Sequence, residues 1–185
     1  MHNIKPISRE YKVDPMLICT TSADQRGIIY TASEEFVKLS GYKREELIDA
    51  NYNIVRHPDM PKVIFKLMWE KLNKNERFVG FIKNINKIGE YYWIKVEIEV
   101  MRGDITGNRL YYSSKSFAPR RAVKRFGSLY TALLKKEKEE GDAESEAYLI
   151  DFLKFRGVNY DEYVATFLES GTLLTGYYMT RKLLS

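Results

Sequence analysis

The chain has 185 residues, Lys+Arg 30 against Asp+Glu 25, a formal charge of +5, and 44% hydrophobic with 30% charged residues, the balance of a folded globular protein. A single cysteine, Cys19, leaves no partner for an intrachain disulfide, and with two histidines, His2 and His57, it falls short of a typical structural zinc set. No uncharged run reaches the roughly 20 residues of a membrane span and the N-terminus lacks a secretory apolar core. The positive charge is spread out, apart from Arg120, Arg121, Lys124 and Arg125. These features predict a cytoplasmic protein with no direct membrane insertion and no nucleic-acid partner.

Residues 1–15 form a polar lead-in ending at Pro15. The β-branched run Leu17–Thr21 predicts a strand, the cluster Ala23–Gly27 a turn, and Gly27–Thr31 a second strand of a hairpin. Ser33 followed by Glu34 and Glu35 has the chemistry of a helix start: a hydroxyl cap with acids in the first turn. This helix carries Phe36, Val37 and Leu39 and stops at Gly41; Lys43–Ile48 reads as another short helix. Asp59 is positioned to cap a longer helix with Pro61 in its first turn. Ile64, Phe65, Leu67, Met68, Trp69 and Leu72 leave that helix little polar face, so it packs on more than one side.

Three strands are expected next. Phe78–Asn84 is the first, with Asn86–Gly89 as the turn. In the second, Tyr92, Ile94, Val96, Ile98 and Val100 alternate with Trp93, Lys95, Glu97 and Glu99, a period of two with one apolar face. A Gly-bearing turn at 104–108 leads into Leu110–Phe117. The order β-β, short helices, β-β-β predicts an α+β domain, an antiparallel sheet with helices on one face. From Pro119 onward, Val123, Phe126, Tyr130 and Leu133 fall on helical spacing. Further helices are expected around Tyr148–Phe155, Asp161–Leu168 and Leu173–Leu184. The predicted division is a lead-in over 1–15, an α+β domain over 16–118 and a helical extension over 119–185. Aromatics make up 14% of the chain, and many lie in this extension, where they need a surface to cover them.

The run Asn51-Tyr52-Asn53-Ile54-Val55-Arg56-His57-Pro58-Asp59-Met60-Pro61-Lys62 resembles the PAS domain of the aerotaxis receptor family. Ser40-Gly41-Tyr42, Met68-Trp69, Gly80-Phe81-Ile82-Lys83-Asn84 and Gly89-Glu90-Tyr91-Tyr92-Trp93 extend the resemblance over residues 11–118. It implies a PAS fold, a five-stranded antiparallel sheet with short helices on one face, followed here by the C-terminal helical extension. It also implies FAD held without covalent attachment and a redox report to the chemotaxis machinery, with no enzymatic turnover.

The cofactor-binding residues so implied are Asn53, Arg56, His57, Asp59, Trp69 and Asn84. Arg56 is a planar, permanently charged donor suited to a pyrophosphate or a ring-edge carbonyl, or else a surface cation. His57 is a hydrogen-bonding or stacking partner of the flavin, an axial haem ligand as in PAS domains of other families, or a core ring. Asp59 is open to cap and cofactor roles, Trp69 to pocket wall and core, and Asn53 to site and turn cap. Asn84 carries an amide that donates and accepts together. Trp93 falls on the charged face of its strand and stays out of the pocket.

Two positions depart from the family: Ser33 stands where it has asparagine, and Phe78 where it has tryptophan. Cys19, in the first strand, is not the cysteine of flavin-photoadduct domains. There is no nucleophile elbow, dinucleotide-binding glycine motif or P-loop. The expected arrangement is a soluble homo-oligomeric PAS protein signalling to a separate, membrane-bound chemotaxis transducer. The alternatives are a cofactor-free docking module and a haem sensor.

Overall fold

The computed structural model describes residues 4–101 and 109–168. Five strands, β1 (Ile18–Asp24), β2 (Ile29–Ala32), β3 (Phe78–Ile85), β4 (Tyr91–Met101) and β5 (Leu110–Phe117), form one antiparallel sheet in the order β2-β1-β5-β4-β3. Between β2 and β3 lie α1 (Glu34–Ser40), α2 (Arg44–Leu47), a 3₁₀ turn (Tyr52–Val55) and α3 (Lys62–Asn73). After β5 come α4 (Arg120–Glu139), α5 (Asp142–Phe155) and α6 (Tyr160–Ala165). The expected turn at 104–108 and the helix at Leu173–Leu184 lie outside the described residues.

Local chemistry explains the boundaries. Ser33 Oγ accepts the Phe36 amide, and α1 ends at Gly41, whose φ of +70° is left-handed, the conformation glycine adopts without a Cβ penalty. Asp59, by contrast, does not cap the long helix. α3 begins at Lys62 after Pro61, with no side-chain cap, because the Asp59 carboxylate is taken by Lys83 Nζ at 2.7 Å.

Alternation divides the sheet into two faces. Tyr92, Ile94, Val96 and Ile98 of β4 share the inner face with Ile82 and Asn84 of β3 and with Tyr111, Ser113 and Lys115 of β5, as the register requires. The outer face carries Phe81, Lys83 and Trp93. It is not a solvated face: α4 covers part of it. Phe126 packs on Phe81 at 4.9 Å between ring centroids, Tyr130 stacks on Trp93 at 5.8 Å, and the Tyr130 hydroxyl donates to the Phe81 carbonyl at 2.7 Å. Trp93 is thus buried although its face of β4 also carries Lys95 and Glu97.

Beyond α4, α5 packs on α4 and α3, and Tyr160 of α6 stacks on Phe78. Between Pro119 and Leu168, then, Phe126, Tyr130 and Tyr160 of the extension are buried against the chain's own sheet, while Phe155 stays exposed. The lead-in also docks, with Ile7 and Tyr11 amides donating to the carbonyls of Gly89 and Tyr91.

The segment from Asp49 to Arg56 touches both edges of the sheet. Asp49 and Tyr52 amides donate to the carbonyls of Ile29 and Gly27, while Arg56 forms a single antiparallel bridge with Asn84 of β3. This strap crosses the mouth of the space enclosed by the inner face and α3.

Candidate functional site

That space is a cavity of about 260 Å³, just under the range of about 300–1,000 Å³ usual for ligand pockets. One planar ring system fits it; a whole dinucleotide does not. Its apolar walls are Phe65, Met68, Trp69 and Leu72 of α3 and Ile82, Ile94, Val96 and Ile98 of the sheet. Trp69 meets Tyr111 edge-on at 5.4 Å, an arrangement favoured by ring quadrupoles. Arg26, Asn51 and Asn53 line it and are exposed, which marks the mouth.

The polar groups come from the strap and from β3 and β5. The Arg56 guanidinium lies over the Phe65 ring with Cζ 4.1 Å from its centroid, and Nη2 donates to the Met60 carbonyl at 3.1 Å. Among the described residues no carboxylate pairs with it, and burial lowers its pKa. A guanidinium has five N–H donors, so several remain for a ligand. Asn84 is buried at the cavity wall, directly across from Tyr92 on β4. The hydroxyls of Tyr92 and Tyr111 are buried with no hydrogen-bond partner among the described residues.

Four of the six residues anticipated from sequence, Asn53, Arg56, Trp69 and Asn84, therefore line one cavity. His57 and Asp59 do not. Arg56 sits in an extended bridge to β3, and consecutive side chains of extended backbone leave on opposite sides. With Arg56 turned to the cavity, His57 turns to the outer side, where its ring meets Tyr91 edge-on at 6.2 Å and Nδ1 accepts the Asp59 amide at 3.0 Å. Burial, with Lys83 adding to it and Asp59 opposing, lowers the His57 pKa to about 4, so the ring is neutral near pH 7.

Sequence reasoning passed over Lys115. It is 2% exposed in the cavity wall, and its Nζ donates to Thr21 Oγ1 at 2.6 Å, Tyr52 Oη at 2.9 Å and Ser113 Oγ at 3.0 Å. The signal was present: Tyr111, Ser113, Lys115 and Phe117 share one face of β5, and a lysine on an inward face is unusual.

Comparison with known proteins bears on the domain that holds these residues. The family model described as PAS fold matches residues 29–113. The aerotaxis receptor of Escherichia coli (strain K12) is 38% identical over 122 residues, 65% of this chain and 23% of the receptor. Residues 29–113 of this chain carry a PAS domain, and the chain is similar in sequence to an aerotaxis receptor. Solved structures agree on the PAS fold. A light-oxygen-voltage domain from work on a flavin analogue superposes with a TM-score of 0.52 at 22% identity, covering 66% of this chain and 87% of that one. The light state of the blue-light photoreceptor Aureochrome1 LOV gives 0.52 at 18% identity, covering 60% and 88%. The chain thus spans under a quarter of the receptor's length.

Proposed function

We propose that this PAS protein is a redox or energy sensor that holds FAD non-covalently in the cavity and signals by protein contacts rather than by turnover. The observation that carries the proposal is the set of donors left unspent between aromatic and aliphatic walls: the Arg56 guanidinium without a carboxylate partner and the buried Tyr111 hydroxyl. Unpaired polar groups in a low-dielectric site cost free energy that a ligand of matching polarity recovers. The cavity suits a flavin ring, with Trp69 and Phe65 as walls and Asn84 at a polar edge. The rest of the dinucleotide would lie at the mouth beside Asn53 and within reach of Arg56. Bound there, FAD supplies a ring whose charge and hydrogen-bonding pattern change on reduction.

In this proposal Arg56 and Asn84 orient the ring and feel that change, and their backbones are bridged to each other. A shift at one is therefore transmitted to the strap and to the β3 edge, biasing a surface that a partner reads. The partner in this reading is a separate membrane-bound chemotaxis transducer, the location cytoplasmic and the sensor homo-oligomeric. Identity of 38% to an aerotaxis receptor over 122 residues supports this choice.

The test is the visible spectrum of purified protein reconstituted with FAD. A flavin band that stays with the protein through gel filtration is expected in the wild type and lost in Arg56→Ala and Asn84→Leu. A colourless wild type would return the assignment to a cofactor-free docking module. A haem sensor ligated by His57 is disfavoured by the placement of that ring outside the cavity.

A further inference from the structure

The polar and charged lining of the cavity is unbalanced. Arg26, Arg56 and Lys115 face a single carboxylate, Asp24, which Arg26 already engages at 2.8 and 2.9 Å. Lys115 is the most buried of the three cations and has only neutral neighbours: three hydroxyls and the faces of Phe36 and Tyr52, whose centroids are 4.9 and 5.3 Å from Nζ. Hydroxyls and rings satisfy the N–H donors but not the charge, and a buried charge without a counter-charge is costly. Burial accordingly pushes the Lys115 pKa down to about 7.

We propose that Lys115 is the specificity-determining residue of the cavity: with its three N–H donors held by Thr21, Tyr52 and Ser113, its uncompensated charge favours a ligand that turns an electron-rich edge toward it. The inference rests on the FAD assignment above and adds the charge character of the ligand: the buried edge presents acceptor atoms, as the pyrimidine edge of a flavin does, rather than a donor or a cation. Thr21, Tyr52 and Ser113 are positioning residues that hold the ammonium in place. Tyr52 also belongs to the strap, so the same hydroxyl that orients Lys115 ties it to the cavity mouth.

The groups that face Lys115 do not titrate near neutrality. Across the β1–β5 pair stands Cys19, whose thiol burial raises to about 11 against the pull of Lys115. The Tyr52 and Tyr92 hydroxyls are pushed above their usual value by burial. At Asp24, burial is outweighed by hydrogen bonds from Ile28 and Arg26, which hold the carboxyl below its usual value. Any titration of ligand affinity between pH 6 and pH 8.5 would then belong to Lys115. The sign follows from linkage: a ligand that prefers the ammonium binds more weakly as pH rises through the free-protein pKa.

The experiment is FAD affinity by fluorescence quenching across that pH range, for wild type, Lys115→Arg and Lys115→Met, each checked for a cooperative thermal transition. Wild-type Kd should rise about tenfold from pH 6 to pH 8.5, the order expected when a buried charge facing an electron-rich edge is lost. Lys115→Arg should bind tightly at every pH, and Lys115→Met weakly at every pH. Equal affinity and the same pH profile in wild type and Lys115→Met would overturn the inference while leaving the FAD assignment standing. No FAD binding by the wild type at any pH would overturn both. If Lys115→Met fails to fold, the arginine variant decides alone: a retained pH dependence there would overturn the role of the ammonium.

Discussion

Arg56 and His57 are neighbours in sequence and strangers in space, because the backbone that carries them pairs with β3 and sends one side chain to each face. The aerotaxis-type run makes both look like ligand contacts; only the register of that bridge separates them. The consequence for His57 is an effect of pH on stability rather than on binding. Its folded pKa of about 4 lies below the ordinary value of 6.5, so between these values the unfolded chain takes up a proton that the folded one refuses. Stability from the neutral ring is nearly complete above pH 6.5 and falls as pH drops toward 4, by about 3 kcal/mol over that window. Urea midpoints measured at pH 7.5 and pH 5 should show the loss in wild type and a smaller one in His57→Gln. A midpoint that falls equally in both would show that His57 is not the group responsible.

At the scale of elements, α3 is the shared part. One side walls the cavity with Phe65 and Trp69, and its lysines reach the extension: Lys62 to Asp142 at 3.0 Å, Lys66 to Glu146 at 2.6 Å and Lys71 to Asp161 at 2.6 Å. The first two pairs are largely exposed and contribute little, ~0.5 kcal/mol or less each. Lys71 and Asp161 are only 14% and 22% exposed, so removing Asp161 leaves a partly buried ammonium with only the longer pair to the exposed Glu76 at 3.6 Å. Asp161→Asn should therefore cost about 1–2 kcal/mol in urea denaturation, and Glu146→Gln near zero. A larger loss from Glu146→Gln than from Asp161→Asn would refute this ranking.

The elements also show what sequence could carry. The Ser33 cap and the Gly41 stop are local, settled within a few residues, and both were legible, as was the five-strand order. The Asp59 cap was misjudged because its true partner, Lys83, lies 24 residues away. Trp93 was correctly kept out of the cavity by alternation. Its burial depends on Tyr130, an aromatic that helical spacing marks as apolar without saying what it meets. Lys115 becomes legible as an inward lysine only through the register of β5 onto Val96 and Cys19, a long-range pairing.

For the whole molecule, the extension completes the domain. Phe126, Tyr130, Tyr160 and Tyr163 are all buried, and their partners include Phe78, Phe81 and Trp93 of the sheet. A chain cut after Ala118 would uncover two or three large side chains at roughly 1.5–3 kcal/mol each, about 5 kcal/mol together. It should elute as aggregate on gel filtration, whereas the full chain gives a discrete species. A well-folded, discrete species from the shortened chain would mean that the sheet does not need this cover.

The strap also sets a length. In a flat sheet the outermost of five strands are four spacings apart, about 19 Å at roughly 4.8 Å each. From Asn51 to Arg56 the chain has five steps, and its 3₁₀ turn advances only about 2 Å per residue. The sheet must therefore be curled until its margins come within reach of so short a tie. The number of residues between Asn51 and Arg56 acts as the circumference of a belt: it fixes how tightly the sheet is rolled, and through that the girth available to whatever the roll encloses.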